Sequence, residues 1–216
     1  MAQQGRMLIT AGPTHEPIDA VRYIANRSSG RLGCALAAAA REAGWNVTLL
    51  LGPAEASPPD GVCVRRFEST ADLAALLDER FPSCDVLIMA AAVADYRPRQ
   101  CSAEKLPRTG DPLRLELEPT PDLIAACAGR KTSSQRVIGF ALEAPETLTE
   151  RARDKLRRKK LDAIVANPLG TMGANRIEAV LHAATGERLA PPEHEAAGLD
   201  KMEFARWLVE WIGTRR

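Results

Sequence analysis

Asn26, Arg27, Ser28, Ser29 and Gly30 stand in a row between the apolar run MLITAG and the alanine-rich run CALAAAAREAG. The first backbone N–H groups of a helix have no partner within it. An amide, a guanidinium, hydroxyls and a glycine at a helix mouth therefore suit an anionic oxygen. Arg22 and Arg31 add positive charge on either side. The plainer reading of the same residues is a serine cap beside a tight glycine. The dinucleotide fingerprint GxGxxG is missing; only Gly30-x-x-Gly33 remains, and Leu51-Gly52-Pro53 offers no acidic residue for a ribose diol. A nicotinamide cofactor held in the usual way is thereby disfavoured.

Two further groups could do chemistry. Asp95 and Tyr96 directly follow the apolar run DVLIMAAAV, and Lys105 and Arg108 follow on an irregular stretch broken by proline and glycine. Long irregular loops often serve as lids, and a lysine on one meets phosphates after closure. The plainer reading is a solvated loop. The run RARDKLRRKK carries seven cations and one anion. Leu148, Ala152 and Leu156 recur at helical spacing and mark its buried stripe, which Lys155 and Lys159 share or border. The other cations point outward, as on a solvated helix face.

The elements that must position these residues alternate. MLIT, NVTLLL, VCVRRFE, DVLIMAAAV, RVIGFALE and DAIVAN read as strands, and LRLELE alternates as a half-exposed strand would. Arg31 to Gly44 reads as a helix closed by glycine, and STADLAALLDERF as a helix opened by Ser69 with Asp72 three residues on. PTPDLIAACAG reads as a short helix with Pro121 in its first turn. Near the end come a hairpin around Thr185-Gly186 and an amphipathic helix with Trp207 and Trp211. The pattern predicts a single α/β domain over residues 1–216: a mainly parallel sheet with helices on both faces, a lid-like irregular stretch at about 97–112, and a C-terminal hairpin extension at about 175–191. Ligands of such sheets bind beyond the strand carboxyl ends. That rule selects four loops: Ala11–Gly30, which is about four times the usual length, Ala94–Pro112, Glu143–Glu146 and Asn167–Asn175. It also poses a difficulty. The far end of the basic helix should point away from those ends, so Lys155 and Lys159 reach a ligand there only if the helix lies obliquely or their stems reach back.

Composition excludes several classes. The chain has 216 residues, 45% hydrophobic and 26% charged, enough for a buried core. Aromatic content of 4% and a net charge of +1 argue against a nucleic-acid partner. The five cysteines are at least seventeen residues apart, so CxxC spacing is absent. His15, His182 and His194 make no zinc pattern, and no metal ligand is assigned among the side chains. With no signal-peptide core and no apolar run of membrane-spanning length, the expectation is a cytoplasmic protein without a membrane partner.

LITAGPTHEPIDAVRYIANRSSGRLG, AAAVADYRP, PTPDLIA, GFALE and ARDKLRRKKLDAIVAN occur in this order. Together they resemble phosphopantothenate–cysteine ligase of the bacterial type, from about Met7 to the last helix. The resemblance implies a Rossmann-like fold with a dimerisation extension. It also implies use of CTP with Mg²⁺ to convert 4′-phosphopantothenate to an acyl-cytidylate, which L-cysteine attacks on the way to coenzyme A. It implies no flavin in this chain. In most bacteria such a domain follows a flavin-dependent decarboxylase; the start at Met1 favours a free-standing chain, with a separate decarboxylase as its partner.

The family's asparagine, tied to turnover of the acyl-cytidylate, matches Asn26, with Arg22, Arg27, Ser28, Ser29 and Gly30 around the phosphate and acyl group. Its nucleotide contacts match Met89, Ala90, Ala91, Asp95, Pro121, Asp122, Leu123, Ile124 and Phe140. Its flap matches the stretch at about 97–112 and its flap lysine matches Lys105; its two helix lysines match Lys155 and Lys159. Three positions depart: Pro107 and Arg108 follow the flap lysine closely, ALEA follows Phe140, and His15 stands where arginine is frequent. Two other classes compete: a flavin- or NAD(P)-binding oxidoreductase, and a nucleotide-binding module without turnover. The presence of both Asn26 and Lys105 argues against the latter.

Overall fold

The computed structural model describes residues 4–171, 174–191 and 198–215. Its centre is an eight-stranded sheet, in spatial order β13-β12-β10-β9-β6-β1-β4-β5. The parallel strands are β1 (Arg6–Ala11), β4 (Asn46–Leu51), β5 (Cys63–Arg66), β6 (Val86–Met89), β9 (Arg136–Glu143) and β10 (Ala163–Pro168). β12 (Val180–Ala183) and β13 (Arg188–Leu189) continue the sheet antiparallel beyond β10. The late hairpin, expected as an appended extension, is thus the antiparallel margin of the main sheet. The chain turns there through Gly186, whose φ of +95° suits glycine.

Strand side chains alternate between two cores. Met7, Ile9, Leu49, Leu51, Val86 and Ile88 face α1 (Arg31–Glu42) and α5 (Lys201–Gly213). Leu8, Leu50, Leu87, Val137 and Ile164 face α2 (Thr70–Arg80), α3 (Leu123–Arg130) and α4 (Leu148–Arg158). Buried on both faces, these strands need the near-continuous apolar runs seen in the sequence. The chain goes from β1 outward to β4 and β5, then crosses back to β6 on the other side of β1. The loops after β1 and β6 therefore diverge, leaving a crevice where such sheets bind ligands.

The loop between β1 and α1 is not featureless. It folds into a hairpin of β2 (His15–Pro17) and β3 (Tyr23–Ala25), with His15 stacked on Tyr23 at 3.7 Å between ring centres. The segment after β6 forms a second ribbon, β7 (Tyr96–Pro98) with β8 (Leu117–Pro119). The strand expected over LRLELE is therefore cut to its end. Leu113, Leu115 and Leu117 are 58%, 39% and 44% exposed, because among the described residues no layer packs against them. A small pair, β11 (Arg176–Ile177) with β14 (Leu199–Asp200), leads into α5.

Candidate functional site

Three loop systems meet above β1 and β6, and buried hydroxyls tie them together. The Ala91 N–H donates to Thr10 Oγ1 and the Ala94 N–H to Thr14 Oγ1, both at 3.0 Å. Thr70 Oγ1 donates to the buried Glu16 carboxylate at 2.6 Å. The first two bonds hold the backbone of Met89–Asp95 against the end of β1 and the loop after it, and the third ties the start of α2 to that loop. The Thr120 N–H donates to the Asp95 carbonyl at 2.9 Å, which brings the start of α3 to the same place.

The mouth of α1 is built by glycine. Gly30 is the N-cap, with φ +72°, and a Cβ there would stand 2.8 Å from Ala54 Cβ. One turn on, a Cβ on Gly33 would stand 2.3 Å from Ala11 Cβ, so Gly33 lets α1 lie directly on β1. No side chain caps this helix, so the serine-cap reading is corrected. The first N–H groups of α1 remain available to an anion, beside the Ser28 and Ser29 hydroxyls. Asn26 Nδ2 donates to the Val93 carbonyl at 2.9 Å. That bond fixes the amide between the β2–β3 hairpin and the loop after β6.

These groups line one cavity of about 920 Å³. Asn26, Arg27, Ser28, Ser29 and Gly30 form one side, and Met89, Ala90, Ala91 and Asp95 the floor. Pro121, Asp122, Leu123, Ile124 and Phe140 form another side, with Lys155 and Lys159 beyond them. The difficulty with the basic helix resolves through long stems. Lys155 Nζ reaches back to Glu143, the last residue of β9, at 2.9 Å, and Lys159 Nζ meets Asp122 at 2.9 Å. Burial pushes the Glu143 carboxyl up, but hydrogen bonds from Lys155 and Arg151 outweigh it and hold the group below its usual range. Asp122, not Pro121, starts α3: its carboxylate accepts from the Ala125 N–H at 3.2 Å, and Pro121 precedes the cap.

Two of the residues expected at the site are not among its lining. Arg22 pairs with Asp19 and also donates to the Leu106 carbonyl at 2.8 Å. Asp19 is buried at 4% exposure and accepts from the Val21, Arg22 and Leu106 N–H groups at 2.9, 2.7 and 3.1 Å. The Arg22 guanidinium, with these N–H groups, outweighs burial and holds the Asp19 carboxyl well below the usual range. Lys105, next to Leu106, is exposed on the flap. The flap is thus pinned to the β2–β3 turn, with Lys105 outside the cavity. His182 is buried on β12, and His194 lies outside the described residues. Among the described residues, no group of three or more His, Cys, Asp or Glu could hold a metal ion. No described helix is long and apolar enough to cross a membrane.

Other lining residues went unread. Leu142 is the last but one residue of β9, Asn167 stands near the end of β10, Thr171 follows β10, and Lys201 begins α5. The loops after β9 and β10 were marked by the strand-end rule, but no sequence signal brings the start of the last helix to the same cavity.

Comparison with known proteins agrees with this geometry. The family model for the DNA/pantothenate metabolism flavoprotein C-terminal domain matches residues 2–214. A cysteine/cysteine sulfinic acid decarboxylase from an unknown prokaryotic organism is 45% identical over 170 residues, 78% of this chain and 47% of that protein. The coenzyme A biosynthesis bifunctional protein CoaBC of Vibrio cholerae is 41% identical over 170 residues, 78% of this chain and 42% of that protein. The chain thus spans about half the length of these relatives. The crystal structure of the C-terminal domain of a CoaBC protein superposes with a TM-score of 0.82 at 35% identity, covering 98% of this chain and 95% of that one. With the family model running through both cores and every loop of the cavity, the chain belongs to the DNA/pantothenate metabolism flavoprotein C-terminal domain family.

Proposed function

We propose that this chain joins 4′-phosphopantothenate to L-cysteine at the cavity above β1 and β6, in the coenzyme A route, through an acyl-cytidylate made from CTP. One observation carries the reading: the Asn26–Gly30 turn, the fixed backbone of Met89–Asp95, and Lys155 with Lys159 all line one cavity. The kinship with CoaBC proteins supports it.

In the first half-reaction a carboxylate oxygen of phosphopantothenate attacks the α-phosphorus of CTP, and pyrophosphate leaves. Charge gathers on phosphate oxygens, and the α1 N-terminus with Arg27, Ser28, Ser29, Lys155 and Lys159 offsets it. Among the described residues no group of three or more His, Cys, Asp or Glu could hold Mg²⁺; bound with the triphosphate, the ion would neutralise phosphate charge. In the second half-reaction the cysteine amine attacks the acyl carbon, CMP leaves, and the amine proton passes to solvent. Asn26, held by Val93, orients the reacting carbonyl. Backbone groups of Met89–Asp95 read the base, and Phe140 packs beside it. Lys105 joins when the flap moves, which also keeps water from the acyl-cytidylate.

The test is pyrophosphate release from purified protein given phosphopantothenate, cysteine, Mg²⁺ and each nucleotide in turn. CTP should serve best. Release about tenfold faster with ATP would refute the nucleotide assignment, and no release with any nucleotide would refute the reaction.

A further inference from the structure

Lys201 is the first residue of α5 and lines the cavity from the side of the sheet that carries α1. Asn175 holds it near a second cation. The Asn175 side-chain oxygen accepts from Arg31 at 2.7 Å, and its backbone carbonyl accepts from the Lys201 N–H at 3.2 Å. Arg31 lines the same cavity, and its nearest carboxylate, Glu55, is 4.0 Å away and exposed. Asp200, the acid next to Lys201, is engaged by the cap of α5, where it accepts from the Met202 N–H at 2.7 Å. Among the described residues, no hydrogen bond or ion pair engages the Lys201 ammonium. Burial first, and then the Arg31 charge, lower its pKa from the ordinary lysine value, with Asp200 offsetting part of this. Two like charges at one cavity wall, one of them half-buried, are relieved by an anion between them. The cations across the cavity differ: Lys155 and Lys159 already have carboxylate partners at 2.9 Å.

We propose that Lys201 and Arg31 form a phosphate-binding corner of the cavity, gripping the oxygens of one phosphate group of the substrates. The identity of those substrates rests on the ligase reading above. Two sources can supply the phosphate: the triphosphate of CTP, or the terminal phosphate of phosphopantothenate.

The experiment is calorimetric titration of wild type, Lys201→Gln and Lys201→Arg with CTP, cytidine, phosphopantothenate and pantothenate, alongside wild-type pyrophosphate release. Loss of a charge-assisted contact should weaken one phosphate-bearing ligand about 10- to 100-fold in Lys201→Gln. Lys201→Arg should restore much of it, and the phosphate-free counterpart should be unaffected. A loss confined to CTP assigns the corner to the triphosphate; a loss confined to phosphopantothenate assigns it to that substrate. Affinities within about twofold of wild type for both, or equal losses with and without the phosphate, would overturn the corner. Such a result beside normal wild-type pyrophosphate release would leave the ligase reading standing; absent release would fell that reading instead.

Discussion

Asn26 shows what a single residue can be asked to do. Its amide donates to the Val93 carbonyl, so its place depends on a contact between two loops far apart in sequence. Asn26→Asp removes the donor and sets a carboxylate against a carbonyl oxygen. It also adds negative charge where amine attack develops more. The first half-reaction should survive, while the second should slow by about 10²–10³, the usual cost of losing one oxyanion-type donor. Acyl-cytidylate should then accumulate and be seen by mass spectrometry; equal loss in both halves would refute the role. At this scale the sequence was informative where residue type alone decides. Gly30 and its neighbours suggested an anion seat, and the α1 N-terminus, with no side-chain cap, lines the cavity beside them. It misled where partners decide: Arg22 looked free to meet phosphate, yet Asp19 holds it, and nothing in the local string marks that aspartate as buried.

Elements were legible to the extent that their own residues stabilise them. Strands buried on both faces declare themselves as apolar runs, and α2 declares itself through a reciprocal cap, Ser69 with Asp72. The β2–β3 hairpin did not, because its hold comes from the Asp19 turn and a His15–Tyr23 stack rather than from alternation. The flap depends on the same turn. Leu106 is gripped through its N–H by Asp19 and through its carbonyl by Arg22, and the Ser102 N–H donates to the Ile18 carbonyl at 3.1 Å. Cleavage between Arg97 and Arg108 should therefore be faster in Asp19→Ala than in wild type, and slower in wild type when CTP and phosphopantothenate are bound. Lys105→Gln should blunt that protection and slow acyl-cytidylate formation. Its melting temperature should barely move, since exposed substitutions usually stay within about 0.5 kcal/mol. Unchanged pyrophosphate release in Lys105→Gln would return this lysine to the solvent.

At the scale of the whole molecule, both sheet faces are covered and the margins are short, with β13 only two residues long. Short edge strands are poor templates for pairing with another chain, so the late hairpin offers little for a sheet-to-sheet dimer. The apolar surface lies elsewhere. Val21, Tyr23 and Tyr96 are 61%, 53% and 56% exposed, and the leucines at 113, 115 and 117 are also exposed. These residues sit on the β2–β3 and β7–β8 ribbons, on the turn of the first, and on the irregular segment leading into β8, and β2 and β7 touch. Leucines alternating over LRLELE are what a strand facing an apolar layer requires, and among the described residues no layer supplies it. A second copy, meeting the first through the same ribbons, would cover them under two-fold symmetry. The expectation is a homodimer by light scattering at micromolar concentration. Leu115→Glu should shift it toward monomer without lowering the yield of folded protein, because this leucine contributes nothing to either core. A wild-type chain that runs as a monomer at that concentration would leave these leucines without a partner and remove the dimer.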